Sequence, residues 1–336
     1  MDRSVLMITL YISEQGCYVS LKQESIIIKQ QDKILAEVQI PLIEQILIFG
    51  KSQLTTEVIR TCLDRDIPIA YLSRMGYCYG RMLPISRGYR QLVRYQQQLS
   101  NLELLLVAQQ IITAKLINSR VILMRQQRRI QSDTLKFAIE NIGYLLGKIP
   151  HTEAVDKLMG FEGLGAAQYF AAFSECITNP EFVFMGRSRR PPGNPVNAML
   201  SFGYQVLWNH LLSAIELQGL DPYYGCLHQG SDRHAALASD LIEEFRAPIV
   251  DSLVLYLINR RSIDAGADFF YRNGGCYLND TGRKKYLQAF LIRMQEETAT
   301  DNGSKQPRWD LLTRQIRAYK QFVYDPIQGY RAYQIR

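Results

Sequence analysis

GYRQLVRYQQQLSNLELLLVAQQIITAKLINSRVILMRQQRRI, residues 88–130, is the stretch in which this chain changes character. Before it, apolar side chains alternate in short runs; within it they return every three or four residues, the repeat of a helix face. The stretch reads as one or two long helices. It is also strongly basic: residues 81–129 hold nine Lys and Arg side chains against a single acid, Glu103. A band that dense suits a polyanion, most simply nucleic acid, although a solvated helix face balanced by acids elsewhere gives the same composition.

Upstream, Val5 to Ile12, Cys17 to Leu21, Ser25 to Lys29, Ile34 to Ile40 and Gln45 to Phe49 read as strands, split by turn signals such as Gln15-Gly16 and Gln31-Asp32. Residues 54–64 carry Val58, Ile59, Cys62 and Leu63 at helical spacing. Asp66 to Leu72 returns to strand, and Met75-Gly76 turns the chain into a last strand, Tyr77 to Met82. Downstream, helices are expected over 133–147, 152–175, 195–218, 232–260 and 308–323, the 232–260 helix being kinked or divided at Pro248. Asn194 caps the 195–218 helix, with Pro195 at its first position. A proline-rich loop at 180–195 carries Arg187, Arg189 and Arg190, a hairpin turns around Asn273-Gly274-Gly275, and 298–307 reads as a flexible polar loop. The fold class is therefore α+β: an N-terminal β-rich domain with one helix, residues 1–86, then a larger all-α domain, residues 87–336, with a flexible C-terminal tail.

Hydrophobic residues make up 47% of the 336, enough for a core throughout, and no apolar run approaches the roughly 20 residues that span a membrane. The start, Met1-Asp2-Arg3-Ser4-Val5, lacks the charged-then-apolar layout of a secretory leader. Six scattered cysteines without a CxxC pair read as free thiols in a reducing cytoplasm. Residues 1–80 hold 8 basic and 9 acidic side chains, so the net charge of +7 belongs to the helical part.

Chemistry concentrates in Leu227-His228 and, twelve residues after the histidine, Asp240-Leu241-Ile242-Glu243-Glu244-Phe245-Arg246. Residues 232–246 read as one helix capped by Ser231, with Asp232 near its positive end. Asp240, Glu243 and Glu244 then crowd one face at i, i+3 and i+4. Such a face needs a cation or arginine partners. A histidine beside converging carboxylates is a hard-cation set with one borderline ligand, better suited to Mn²⁺ or Mg²⁺ than to a thiolate-loving metal. A solvated acidic face beside an unrelated histidine stays open at this point.

Three further stretches bear on that choice: Arg187-Ser188-Arg189-Arg190-Pro191-Pro192-Gly193-Asn194-Pro195-Val196-Asn197-Ala198-Met199-Leu200-Ser201-Phe202-Gly203-Tyr204, then Gly219-Leu220-Asp221-Pro222-Tyr223-Tyr224-Gly225-Cys226-Leu227-His228, and upstream Gly160-Phe161-Glu162-Gly163. In this order and spacing they resemble the CRISPR-associated integrase family, the larger of the two proteins that acquire new spacers. The resemblance extends from the N-terminal strands to Tyr330-Arg331-Ala332-Tyr333. It implies that Glu162, His228 and Glu243 ligate a Mn²⁺ or Mg²⁺ ion, and that Asp240 is an auxiliary catalytic carboxylate. The family often has Leu where this chain has Ser239, and can have Asp where it has Glu243; either carboxylate binds a hard cation. Three glycines around Glu162 point to close approach by a neighbouring backbone or a substrate.

The implied activity is a metal-dependent DNA endonuclease and integrase, inserting short DNA fragments into a CRISPR repeat array by 3′-hydroxyl attack on a phosphodiester. Implied partners are double-stranded DNA, a second copy of the chain paired through the β-rich domain, and a small ferredoxin-like second adaptation protein, in a prokaryotic cytoplasm. Arg81, Arg87 and Arg90 at the domain junction and Arg187, Arg189 and Arg190 in the loop are the expected phosphate contacts, with Tyr223 able to stack on a base. A general DNA-repair nuclease and a non-catalytic DNA-binding scaffold are the competing readings.

Overall fold

The computed structural model describes residues 8–12, 14–73, 78–85, 89–228, 230, 234–299 and 305–335. Its N-terminal part holds two four-stranded sheets. Strands β1 (Ile8–Ile12), β5 (Ile43–Phe49) and β7 (Ile69–Leu72) run parallel, and β8 (Cys78–Met82) closes that sheet antiparallel, in the order β1-β5-β7-β8. The other sheet is the meander β2 (Cys17–Lys22), β3 (Ser25–Gln30) and β4 (Lys33–Gln39), with the two-residue strand β6 (Gln53–Leu54) beside β2. Between them lie Val19, Ile26, Ile43, Ile46 and Ile48, with Val58 and Cys62 from helix α1 (Thr56–Asp64), all fully buried. Each such Ile contributes about 1.5–3 kcal/mol by leaving water.

The basic stretch forms two helices, α2 (Tyr89–Gln97) and α3 (Asn101–Ile130). The division falls at Ser100 because its hydroxyl accepts from the Glu103 amide at 3.3 Å while the Glu103 carboxylate accepts from the Ser100 amide at 2.7 Å. That reciprocal capping starts a new helix. Helices α4 (Asp133–Leu146) and α5 (Val155–Phe173) pack on α3, and α6 (Pro195–Leu217) runs through the core with Asn194 capping it at 2.9 Å.

The expected helix over 232–260 is not one helix. Ser231 and Asp232 lie outside the described residues, and α7 (Ala236–Leu241) begins behind Ala235 with no side-chain cap. The chain then tightens through a 3₁₀ turn at Ile242–Glu244, widens into a π turn over Arg246–Asp251, and resumes as α8 (Ser252–Asn259). Pro248 sits in the wide turn, where its missing N–H and its ring oppose regular helix pairing. The hairpin of β9 (Phe269–Arg272) and β10 (Gly275–Leu278) turns at Asn273 and Gly274, both at positive φ (50° and 73°). Helix α9 (Asp280–Gln295), which the sequence reading leaves unassigned, follows, and α10 (Arg308–Tyr324) ends the helical series. Within 298–307, expected as a flexible loop, the chain instead pairs as the antiparallel strands β11 (Glu297–Ala299, starting one residue earlier) and β12 (Lys305–Pro307). The second part of the chain is thus helical, as expected, with two small antiparallel strand pairs. Among the described residues no helix is long and apolar enough to cross a membrane.

The first sheet is seated on α6 and α10. Tyr11 stacks on Trp309 (5.1 Å between centroids), Gln45 bonds Thr9 at 2.9 Å and Thr313 at 3.4 Å, and Arg317 pairs with Glu44. His210 of α6 is enclosed by Phe49, Phe290 and Trp309. These contacts join the two domains through a closed aromatic seam.

Candidate functional site

Three helices bring the predicted residues together. Glu162 comes from α5, Glu243 from the tight turn after α7, and α3 runs between them. Gly165 permits the closeness of α5 and α3: a Cβ there would meet Leu116 Cδ2 at 2.3 Å. Gly160 and Gly163 face open space instead, so close approach explains only one of the three glycines.

Asp240 has no solvent contact and is the anchor of the histidine loop. Its Oδ2 accepts from the amides of Cys226 (2.6 Å) and Leu227 (3.1 Å), and its Oδ1 from the His228 amide (2.9 Å). The same Oδ1 stands 2.7 Å from His228 Nδ1. Gly225 makes this possible, since a Cβ there would lie 2.5 Å from Asp240 Oδ2. A carboxylate on Nδ1 fixes the ring and leaves Nε2 as the nitrogen available to a cation. Burial opposes charge on the imidazole, but the bond and charge of Asp240, then the charges of Glu243 and Glu162, prevail and raise its pKa. Both glutamates are therefore near enough to act on the ring.

Glu162 and Glu243 are joined by a residue that the sequence reading placed in the basic band. The Lys115 ammonium of α3 bonds Glu162 and lies 2.7 Å from Glu243 Oε2. The second contact is an ion pair without hydrogen-bond geometry, so Oε2 is buried with no hydrogen-bond partner. Arg246 takes Oε1 of the same carboxylate at 2.8 Å. Burial would raise the Glu243 pKa, but Arg246, Lys115 and His228 together hold it below the ordinary range. Glu244 points elsewhere: its carboxylate accepts from the Tyr330 hydroxyl and, at 2.6 Å, from the Tyr333 amide, binding the C-terminal tail. The three acids of this segment do not share a face. The 3₁₀ and π turns send each to its own partner.

Among the described residues no three His, Cys, Asp or Glu side chains converge closely enough to hold a metal as they stand. The donors nonetheless fit a hard cation. Two carboxylates already share one positive charge, a buried oxygen lacks a hydrogen-bond partner, and an imidazole is oriented by its own carboxylate.

The expected phosphate contacts divide. Arg187 bonds Asn197 (2.8 Å), Ser201 (2.9 Å) and the Ser188 carbonyl and lies over the Tyr204 ring, which makes it a brace of its loop rather than an exposed arm. Arg189, Arg190 and Tyr223 are exposed. Arg81 is paired with Glu216 of α6, tying β8 to the helical domain. Arg87 lies outside the described residues, as does the Arg90 side chain.

A family model for "CRISPR associated protein Cas1" matches residues 10–291. This chain belongs to the Cas1 family. The Cas4 exonuclease/Cas1 endonuclease fusion of Geobacter sulfurreducens is 35% identical over 300 residues, covering 86% of this chain and 53% of the fusion. The chain spans about half the length of the curated fusion relatives it matches. Among solved structures, the Cas1 fold recurs in a partial Cas6-RT-Cas1–Cas2 complex (TM-score 0.84, 23% identity, covering 98% of this chain and 99% of that one). It recurs also in a casposase bound to its integration product (TM-score 0.78, 25% identity, 98% and 100%).

This Cas1 chain also carries a basic surface that the sequence reading did not assemble. Two adjoining clefts of about 820 and 570 Å³ share Ile122, Arg125, Ser252 and Arg293. The larger adds Arg308, Arg314 and Arg331, the smaller Arg129 and Arg260, and no acid lines either among the described residues. Glu296 nearby pairs with Arg293 and Arg308. The contributing residues come from α3, α8, α9, α10 and the tail. Linear spacing carries no signal for such a surface.

Proposed function

We propose that this chain is a metal-dependent DNA endonuclease and integrase of spacer acquisition, joining the 3′ ends of short DNA fragments to a CRISPR repeat. The observation that carries the reading is the pairing of Glu162 and Glu243 around one positive charge beside a histidine held by Asp240. Glu162, Glu243 and His228 would hold a Mn²⁺ or Mg²⁺ ion. When bound, that ion supplies positive charge to a phosphodiester oxygen and lowers the pKa of an attacking hydroxyl. Asp240 orients the His228 ring through its Nδ1 and holds the loop by accepting from three backbone N–H groups, so the loop need not order itself during the reaction. Arg246 offsets Glu243 from the side away from Lys115 and spreads its charge over the Tyr204 ring, 4.9 Å from the centroid. Exposed Arg189 and Arg190 are available to backbone phosphates.

Water as nucleophile gives cleavage; a DNA 3′-hydroxyl gives strand transfer, which conserves the number of phosphodiester bonds and needs no energy source. The casposase and the Cas1–Cas2 complex among the similar folds support strand transfer, and a small Cas2-type partner, for this chain. The test is incubation of a labelled short duplex with a repeat-bearing plasmid in Mn²⁺. Label covalently joined to the plasmid is the expected result. Shortened DNA without joined product would identify a repair-type nuclease, and binding with neither product would identify a scaffold.

A further inference from the structure

Lys115 occupies an unusual position for a lysine. It lies on the buried side of α3, 8% exposed, between Ala114 and Leu116, which are fully covered. An ammonium is withdrawn from water only when close anions replace its hydration. Here Glu162 and Glu243 do so, from two different helical segments, while Arg246 holds the far oxygen of Glu243. Without the ammonium, two carboxylates of which Glu243 is almost wholly buried would face each other with little between them. A divalent cation would draw on the same two carboxylates. An ammonium and a divalent ion compete for that place, because like charges at such short range repel strongly where water is largely excluded.

We propose that Lys115 is the resident counter-ion of this site: its ammonium holds Glu162 and Glu243 in register until a divalent cation of the Mn²⁺ or Mg²⁺ type takes its place. The inference rests on the metal reading under Proposed function. It makes metal uptake an exchange of one cation for another within a site whose carboxylates are already converged. Lys115 and Glu243 line a water-sized cavity of about 30 Å³ together with Asp251 and the side chains of Arg187, Arg189 and Arg246, so a displaced ammonium leaves by the flexing of its own four-carbon stem rather than by entering that cavity. Lys115 is a positioning residue in this scheme, and its effect is read in metal affinity before any DNA is present.

The test is calorimetric titration of DNA-free full-length protein with Mn²⁺, alongside melting with and without the ion, for the wild type, Lys115→Met and Lys115→Gln. Removing the competing charge should tighten Mn²⁺ binding by about tenfold or more in both variants. It should also lower the melting temperature of the metal-free protein and enlarge the rise that Mn²⁺ produces. Unchanged or weaker Mn²⁺ binding in both variants would overturn the role given to Lys115, leaving it a structural pair or a phosphate ligand. Loss of folding that saturating Mn²⁺ does not repair would overturn it too, since the ion should replace the ammonium. Absence of Mn²⁺ binding by the wild type would instead refute the metal reading itself, and the exchange with it.

Discussion

Asp240 and Glu162 are both carboxylates of the candidate centre, yet they stand in different relations to the fold. Asp240 has no exposure and accepts three backbone N–H groups as well as the His228 ring, so it closes the loop that carries the histidine. Among the described residues Glu162 has one polar partner, the Lys115 ammonium, and its side chain is 12% exposed. Asp240→Ala should therefore lower stability by about 3 kcal/mol or more, because three buried amides lose a charged acceptor, and strand transfer should fall with it. Glu162→Ala, His228→Ala and Glu243→Ala should each reduce strand transfer by orders of magnitude. Of these, Glu162→Ala should lower the melting temperature less than Asp240→Ala does, since the Lys115 ammonium keeps Glu243 as a partner. Thermal melts paired with the plasmid joining assay separate the two classes. Wild-type joining by all three ligand variants in Mn²⁺ would remove the site assignment.

Among the elements, α6 carries the seam on which the two domains meet. His210 sits there between Phe49 of β5, Phe290 of α9 and Trp309 of α10, and its Nδ1 has no hydrogen-bond partner. Burial without a compensating charge pushes its pKa down to about 3. The folded protein keeps this imidazole neutral while the unfolded chain protonates it near pH 6.5. Its contribution is thus complete above about pH 6.5 and is lost as pH falls toward 3, amounting to about 4 kcal/mol at the acid end. His210→Phe, which keeps an aromatic ring in the seam, should flatten the dependence of melting temperature on pH between 6.5 and 4. An acid profile unchanged from wild type would place the acid sensitivity elsewhere.

For the whole molecule, net charge separates by domain, being near zero over residues 1–80 and positive beyond them. The meander sheet ends in β4, which leaves Ile34 56% and Leu35 38% exposed, with Tyr18 of β2 49% exposed two strands away across Lys29. An edge strand with uncovered apolar side chains is a surface for a second copy to pair or pack against. The protein should run as a dimer in light scattering, and Ile34→Lys with Leu35→Ser should shift it toward the monomer; a strictly monomeric wild type at micromolar concentration would count against this. DNA affinity should fall steeply with salt, since phosphate contacts release counterions whatever the sequence. Neutralising Arg81, Arg87 and Arg90 together should flatten the slope of log affinity against log salt by up to about three units if all three meet phosphates. The ion pair of Arg81 with Glu216 makes a smaller change the expectation for that arginine. Arg314→Gln with Arg331→Gln in the arginine-lined cleft should flatten the slope by about two units if the duplex runs there. No change from either set would move the DNA path to Arg189 and Arg190.

The strand-to-helix switch near residue 88, the strands and turns of the meander, the Asn194 cap and the Asn273-Gly274 hairpin were legible because each depends on side chains within a few residues of one another. Glu162, His228, Asp240 and Glu243 were singled out as a set through the family resemblance, since Glu162 lies 66 residues before His228 and no local pattern links them. Regular helical geometry carried from that motif into 232–260 was misleading: Pro248 and the tertiary partners of Glu243 and Glu244 turn the chain through 3₁₀ and π segments. Lys115 read as one more positive charge in a basic band, because linear spacing does not tell which face of a 30-residue helix meets α5. The arginine cleft gathers residues from 125 to 331. Local chemistry is written in neighbouring residues and can be read from them. Which charges cancel, and which are left for a ligand, depends on distances between segments far apart in the chain, and only packing sets those.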